Sequence, residues 1–131
     1  AALIIGADQV AVHQGKIIGK PQNHTDAVAQ LLSSSGNTIT FFTSVSLLNS
    51  TNGRLQTEVV PYAVQFRPLT KEKIERYLER EQPYGCCGSL RADGLGIALL
   101  NRLYGEDPTA LIGLPLTVLV QMLEKEGFRV V

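Results

Sequence analysis

The chain has 131 residues, of which 44% are apolar, and its twelve basic residues balance its twelve acidic ones. A chain of this length and apolar content predicts one folded domain with a core of its own rather than a disordered segment. The balanced charge argues against a protein that binds a nucleic-acid backbone, and the apolar runs are too short to span a bilayer. The adjacent Cys86 and Cys87 suit neither an ordinary disulfide nor zinc, so we expect reduced thiols and a cytoplasmic protein.

An uninterrupted apolar run, Ala2–Ile5, leads through Gly6 to Asp8. Such a run is typical of a strand that is buried on both faces, as in a parallel sheet. Asp8 would then follow the carboxyl end of the strand, where open α/β sheets bind ligands. A carboxylate there can hold a divalent cation or accept a proton from water, and Lys20 can return to the same place after a turn at Gln14–Gly15. The same spacing also fits an Asp8 that caps a turn and a solvated Lys20.

A long β-hairpin is predicted for the middle of the chain. Residues Thr38–Leu48 are rich in β-branched and aromatic side chains, and Asn52–Gly53 is a strong turn signal. The return strand changes its apolar phase beside Pro61, which indicates a bulge or a bend. One face of the first strand is predicted to be apolar and buried, formed by Ile39, Phe41, Thr43, Val45 and Leu47.

Three helices are predicted, with Asn23 and Thr70 as the N-caps of the first two and Pro115 at the first position of the last. In the last helix, an apolar stripe at helical spacing is expected to face the core; it consists of Leu116, Leu119, Val120 and Leu123. The glycine-rich segment Tyr84–Gly96 fits either a flexible loop or a phosphate-binding loop, and Ile97–Tyr104 fits either a strand or a helix.

A set of short motifs resembles the Maf family of nucleoside triphosphate pyrophosphatases. The resemblance runs in order through essentially the whole chain and rests on Gly6–Val10, Gly19–Pro21, Phe42–Thr43, Cys86–Ser89, Asp93–Ile97 and Gly113–Leu116. Within that family, Gln9 and the acidic Asp93 are similar to the branch that hydrolyses 7-methyl-GTP, whereas the dTTP/UTP branch typically carries Thr and Gln there. Two residues depart from this branch, since Ala7 stands where Ser is common and Asp93 stands where Glu is usual.

The resemblance implies an elongated, ITPase-like α/β fold with a central mixed twisted sheet flanked by helices, and a homodimer. It implies that a nucleoside triphosphate is hydrolysed between its α and β phosphates, with Mg²⁺ or Mn²⁺ as the cofactor. Asp8 matches the family's catalytic aspartate, a proton acceptor, and is also the expected metal ligand. Lys20 matches the phosphate-binding lysine, and Gln9 and Asp93 match the positions tied to substrate choice.

The Ser-Pro-Arg-Arg motif that opens the family, and an acidic residue that follows it, have no counterpart in residues 1–131. We therefore expect a single Maf-like domain, residues 1–131, that forms the larger, C-terminal part of the family fold and is poorly stable or associated on its own. Two alternatives to a 7-methyl-GTP pyrophosphatase stay open. One is a pyrophosphatase with a dTTP/UTP or broad preference, and the other is an inactive nucleotide-binding or interaction module.

Overall fold

Five strands form one sheet in the order β2-β1-β3-β4-β5 in the computed structural model, which describes residues 1–131. The strands are β1 (Leu3–His13), β2 (Lys16–Ile18), β3 (Thr38–Asn49), β4 (Arg54–Phe66) and β5 (Leu100–Tyr104). The predicted α/β architecture, a central sheet with packed helices, is confirmed. Where a mixed sheet was expected, however, every pair of neighbouring strands in residues 1–131 is antiparallel.

Four α-helices and two 3₁₀ turns accompany the strands, and the last two helices follow β5. The helices are α1 (His24–Ser34), α2 (Lys71–Glu81), α3 (Pro108–Ile112) and α4 (Leu116–Lys125), and the 3₁₀ turns are Cys87–Ser89 and Leu95–Leu99. The predicted N-caps of α1 and α2 are confirmed, because the side chains of Asn23 and Thr70 accept hydrogen bonds from backbone N–H groups of the first turn. Every helix is too short or too polar to cross a membrane.

Strand β1 differs from its prediction in both length and surroundings. It continues to His13, so that Asp8 lies inside the strand, opposite Ser44 of β3, and the prediction that Asp8 follows the strand end is wrong. Ile4 and Ile5 are 52% and 47% exposed, so the prediction of a strand covered on both faces is also wrong. The reason is tertiary: β2 pairs with β1 only from Ala11 onward, which leaves the first part of β1 at the edge of an antiparallel sheet.

The hairpin of β3 and β4 is confirmed, and the predicted face of β3 is buried along its whole length. Of the bulge or bend predicted beside Pro61, the bulge is wrong, because the register is uninterrupted from Thr38 opposite Gln65 to Asn49 opposite Arg54. The apolar phase changes because Leu55 and Val59 belong to the outer face, where they are 62% and 56% exposed. The irregularity in β4 lies instead at Gln65 and Phe66, where β4 pairs with β5.

The helices cover one face of the sheet and form two apolar clusters with it. The larger cluster joins β3 and β4 to α1 and α2 through side chains such as Phe41, Leu31 and Ile74. The smaller cluster consists of Val45, Leu47, Leu119 and Met122. Leu116 was expected to be in the core but is 45% exposed, because the buried face of α4 is formed by Leu119 and Met122. Pro115 was predicted at the first position of this helix but is its N-cap.

Asp107 links α3 to α4 through one buried carboxylate that is only 2% exposed. Its Oδ1 accepts hydrogen bonds from the N–H and hydroxyl of Thr109, and its Oδ2 accepts from the N–H and hydroxyl of Thr117. Burial alone would raise the pKa of this carboxyl, but the hydrogen bonds from Thr109 and Thr117 outweigh burial and lower the pKa to about 2.

Replacing Asp107 by Asn is expected to lower the free energy of unfolding at pH 7 by about 2 kcal/mol, because an amide nitrogen cannot accept the bonds that one carboxylate oxygen accepts. The pKa is depressed in the folded state, so the stabilisation is complete above pH 4 and is lost as the pH falls toward 2. Thermal melts of wild type and Asp107→Asn between pH 7 and pH 2 measure both effects. Glu106→Gln, at an exposed neighbouring position, is the control. Equal melting temperatures for wild type and Asp107→Asn at pH 7 would contradict this assignment.

Candidate active site

A cavity of about 220 Å³ opens beside the unpaired edge of β1. The structure brings Asp8, Gln9, Lys20 and Asp93 to its walls, although they come from three separate parts of the chain. The remaining walls come from the glycine-rich segment and from the C-terminal end of α3; they include Cys86, Cys87, Leu90, Arg91, Leu111 and Gly113. The cavity therefore unites a sheet edge, a loop and a helix end.

Asp8 reaches the cavity from the outer face of the sheet. Its side chain alternates with that of Gln9, which lies on the helix-covered face. The Oδ1 atom of Asp8 accepts a hydrogen bond of 2.9 Å from the N–H of Gln9, which turns the carboxylate over the open edge of the strand. Because Asp8 is exposed, the rest of the carboxylate is free to bind a cation or to accept a proton.

Gln9 is tied to α3 by its amide nitrogen. Three acceptors surround Nε2, namely the hydroxyl of Thr43 at 3.1 Å and the carbonyl oxygens of Ala110 at 3.1 Å and Leu111 at 2.9 Å, and they share its two N–H groups. Thr43 in turn donates to the same Ala110 oxygen at 2.7 Å. The last turn of a helix leaves its carbonyls unpaired, so Gln9 and Thr43 fix the end of α3 that lines the cavity.

Lys20 follows β2 on a segment that is held from two sides. The carbonyl of Gly19 accepts from the N–H of Gly88 at 3.0 Å and from the side chain of Gln30 at 3.2 Å. The Lys20 side chain itself is exposed and lines the cavity. The ammonium group of Lys20 therefore extends from an anchored backbone beside the glycine-rich segment.

Both cysteines in the cavity wall are free thiols. Burial raises the pKa of the Cys87 thiol above its ordinary value, while the charge of Lys20 opposes this rise and that of Asp8 adds to it. Burial also raises the pKa of the Cys86 thiol. Cys87 donates to the carbonyl of Gln9 at 3.2 Å. Protonated thiols are poor nucleophiles, so the geometry favours a packing role for this pair.

The glycine-rich segment is held against α2 by two side chains. The hydroxyl of Tyr77 donates to the carbonyl of Ser89 at 2.7 Å and accepts from the N–H of Arg91 at 2.9 Å. Burial raises the pKa of Tyr77, so this hydroxyl keeps its proton. Glu81 accepts from the N–H of Leu95 at 2.7 Å. The segment that carries the exposed Asp93 is thus an anchored loop rather than a flexible one.

Sequence reasoning missed Arg91 as a cavity residue. The available signal was its position, since Arg91 is the only basic residue in the glycine-rich segment Tyr84–Gly96. Asp107 and the helix α3 that it caps were missed as well, and the Asp-Pro pair at its start was the available signal.

Residues 1–131 contain no group of three or more His, Cys, Asp or Glu side chains that could hold a metal ion. Asp8 and Asp93 are the carboxylates on the cavity. Mg²⁺ is usually held by one or two carboxylates together with substrate phosphates and water, rather than by an all-protein cage. A single exposed carboxylate such as that of Asp8 fits this mode of binding.

The chain matches the model of the family described as Maf-like protein over residues 1–126, so it belongs to the Maf family. It is 52% identical over 129 residues to a 7-methyl-GTP pyrophosphatase of Nitrosococcus oceani, an alignment that covers 98% of this chain and 65% of that protein. It is 46% identical over 129 residues to a 7-methyl-GTP pyrophosphatase of Vibrio parahaemolyticus, covering 98% of this chain and 67% of that protein. The chain thus spans about two thirds of the length of these relatives.

Replacing Gln9 by Glu is expected to lower the free energy of unfolding by about 2 kcal/mol, because a carboxylate has no N–H to offer to Thr43, Ala110 and Leu111. Chemical denaturation of wild type and Gln9→Glu measures this loss. Gln121→Glu makes the same change at an exposed position of α4 and should leave stability almost unchanged. If both variants unfold at the same denaturant concentration, Gln9 does not hold α3.

Proposed function

We propose that this chain carries the active site of a nucleoside triphosphate pyrophosphatase that cleaves 7-methyl-GTP between its α and β phosphates. The observation that carries the proposal is the meeting of Asp8, Lys20 and Asp93 at one cavity in a chain of the Maf family. The substrate is suggested by the names of two relatives with about half of their aligned residues identical to this chain.

Asp8 is proposed as the group that accepts a proton from the attacking water and as the protein ligand of a divalent cation, Mg²⁺ or Mn²⁺. Its exposed carboxylate, fixed at one oxygen by the N–H of Gln9, supports both roles. When bound, the cation supplies screening of phosphate charge and a lowered pKa for coordinated water. The Gln9 N–H is a backbone group of the same strand, so it orients the Asp8 carboxylate without a contact from another side chain.

Lys20 is proposed to neutralise the negative charge that develops on the leaving phosphates. Its support is an exposed ammonium on an anchored segment of the same cavity as Asp8. Asp93 is proposed to accept hydrogen bonds from the N1–H and the exocyclic amine of guanine, which lie side by side. A methylated guanine ring is cationic, and a carboxylate favours it further.

Gln9 is proposed to influence substrate choice through α3. Its amide nitrogen is already engaged by Thr43, Ala110 and Leu111, which leaves Oε1 as its free polar atom. The position of α3 determines where Leu111 and Gly113 border the cavity. Gln9 therefore acts on the substrate mainly by setting the shape of this wall.

A cytoplasmic location and a homodimer complete the proposal. The two free thiols are compatible with a reducing compartment. The outer face of the sheet offers exposed apolar side chains to a second copy; these are Ile4, Phe42, Leu55 and Val59.

Asp8→Asn is expected to keep the fold and to reduce turnover of 7-methyl-GTP by about 100-fold or more, because the amide cannot accept the proton. Pyrophosphate release with Mg²⁺, measured on the intact protein, tests this, with Glu58→Gln on β4 as an exposed carboxylate control. Near-normal turnover by Asp8→Asn would remove Asp8 from catalysis. An intact wild type that binds nucleotide without releasing pyrophosphate would instead identify a non-catalytic nucleotide-binding module.

Asp93→Asn is expected to reduce discrimination between 7-methyl-GTP and pyrimidine triphosphates, because one oxygen acceptor is replaced by a donor. The values of kcat/KM for 7-methyl-GTP, dTTP and UTP measure this discrimination. Asp93→Glu keeps the carboxylate and is expected to keep the preference. Identical specificity profiles for wild type and Asp93→Asn would exclude Asp93 from base recognition, and a wild type that prefers dTTP or UTP would replace the proposed substrate.

A further inference from the structure

We infer that Arg91 is a phosphate-binding residue of the cavity and that its guanidinium binds the pyrophosphate portion of the substrate together with Lys20. This inference rests on the proposed function and adds to it a second cation from a different part of the chain. Both Arg91 and Lys20 line the cavity.

The first observation is an unsatisfied donor. The Nε–H of Arg91 is buried and has no hydrogen-bond partner, and it is the one buried side-chain nitrogen or oxygen in residues 1–131 in this condition. Arg91 also has no carboxylate within ion-pair distance, since the ion pairs of the structure join His24 to Glu75 and Arg54 to Glu126. The guanidinium of Arg91 is thus not engaged by any protein acceptor, and since the residue is only partly buried and lines the cavity, its terminal N–H groups are available to an anionic ligand.

The second observation is that the loop is shaped around Arg91. The carbonyl of Arg91 accepts from the N–H groups of Gly94 at 3.2 Å and Gly96 at 3.0 Å. A Cβ at Gly96 would overlap the Arg91 carbonyl, and a Cβ at Gly94 would overlap the Glu81 carboxylate and lie 3.1 Å from Cδ of Arg91. With Tyr77 bound to its N–H, the Arg91 backbone is held on three sides. The loop backbone from which the side chain extends is therefore already ordered, which reduces the entropy lost on binding.

The third observation is the charge around Cys86. Burial raises the pKa of this thiol, and the positive charges of Arg91 and Lys20 oppose the rise. The negative charges of Asp93 and Glu81 add to the rise. Lys20, Cys86 and Arg91 all line the cavity. Two cations that converge on one cavity suit a pyrophosphate group, and the planar guanidinium can bind two phosphate oxygens at once.

The nucleobase is the less suitable partner for Arg91. The ring of 7-methylguanine carries a positive charge, which a guanidinium repels and the carboxylate of Asp93 attracts. Arg91 and Asp93 are two residues apart on the same loop. This arrangement assigns the anionic end of the nucleotide to Arg91 and its cationic end to Asp93.

The test is a calorimetric titration of the intact protein with inorganic pyrophosphate, and separately with 7-methylguanosine, with Mg²⁺ present throughout. Arg91→Gln is expected to weaken pyrophosphate binding by about 10- to 100-fold, the usual consequence of losing a charge-assisted hydrogen bond. Arg91→Lys should lose less affinity, and Arg102→Gln on the exposed strand β5 should lose none. Binding of 7-methylguanosine should be equal in all four proteins.

Thermal melting of each variant shows whether it is folded. If Arg91→Gln is not folded, Arg91→Lys is compared with the wild type instead. Its KM for 7-methyl-GTP is expected to increase by a larger factor than its kcat decreases. Unchanged pyrophosphate affinity in Arg91→Gln would overturn the inference, as would weakened binding of 7-methylguanosine alone. If the wild type hydrolyses 7-methyl-GTP while Arg91→Gln binds pyrophosphate normally, only the role of Arg91 fails. If Arg91 governs pyrophosphate binding but the wild type releases none from 7-methyl-GTP, only the proposed function fails.

Discussion

The short helix α3 is held at both ends by side chains from other elements, and the cavity depends on this arrangement. A helix of five residues leaves most of its backbone groups unpaired and is not stable by itself. Asp107 and the threonines that it binds secure the N-terminal end, whereas Gln9 and Thr43 bind the carbonyls at the C-terminal end. The polar contact at Thr43 lies between the two apolar clusters and fixes where the sheet supports α3.

The open edge of β1 is the second constraint on the site. Unpaired strand edges expose backbone donors and acceptors and usually favour association. In this protein the N–H and carbonyl of Gln9 at that edge are engaged by the Asp8 carboxylate and the Cys87 thiol. The edge thereby orients a carboxylate and attaches the glycine-rich loop. An interior strand with two neighbours along its length would not have these backbone groups available.

Local signals predicted the elements whose stability is local. The caps at Asn23 and Thr70 and the alternating pattern of β3 depend on near neighbours in sequence, and these elements were predicted correctly. The environment of β1 was not, because exposure of Ile4 and Ile5 depends on where β2 ends. Sequence motifs identified Asp8, Lys20 and Asp93 as candidate site residues. That Arg91 borders the same cavity became visible only in three dimensions, because its packing depends on α2 and on Gly94 and Gly96.

The charges on the cavity suit the divalent cation that is proposed as the cofactor. Asp8 and Asp93 contribute two negative charges, and Lys20 and Arg91 contribute two positive ones, so the walls are close to neutral. A nucleoside triphosphate brings several negative charges into this space, and the carboxylate of Asp8 repels them. Asp8 would hold the proposed divalent cation, whose positive charge would offset this repulsion. Under the proposed function, Lys20 and Arg91 would bind the same phosphate chain, which would leave Asp93 available to the base.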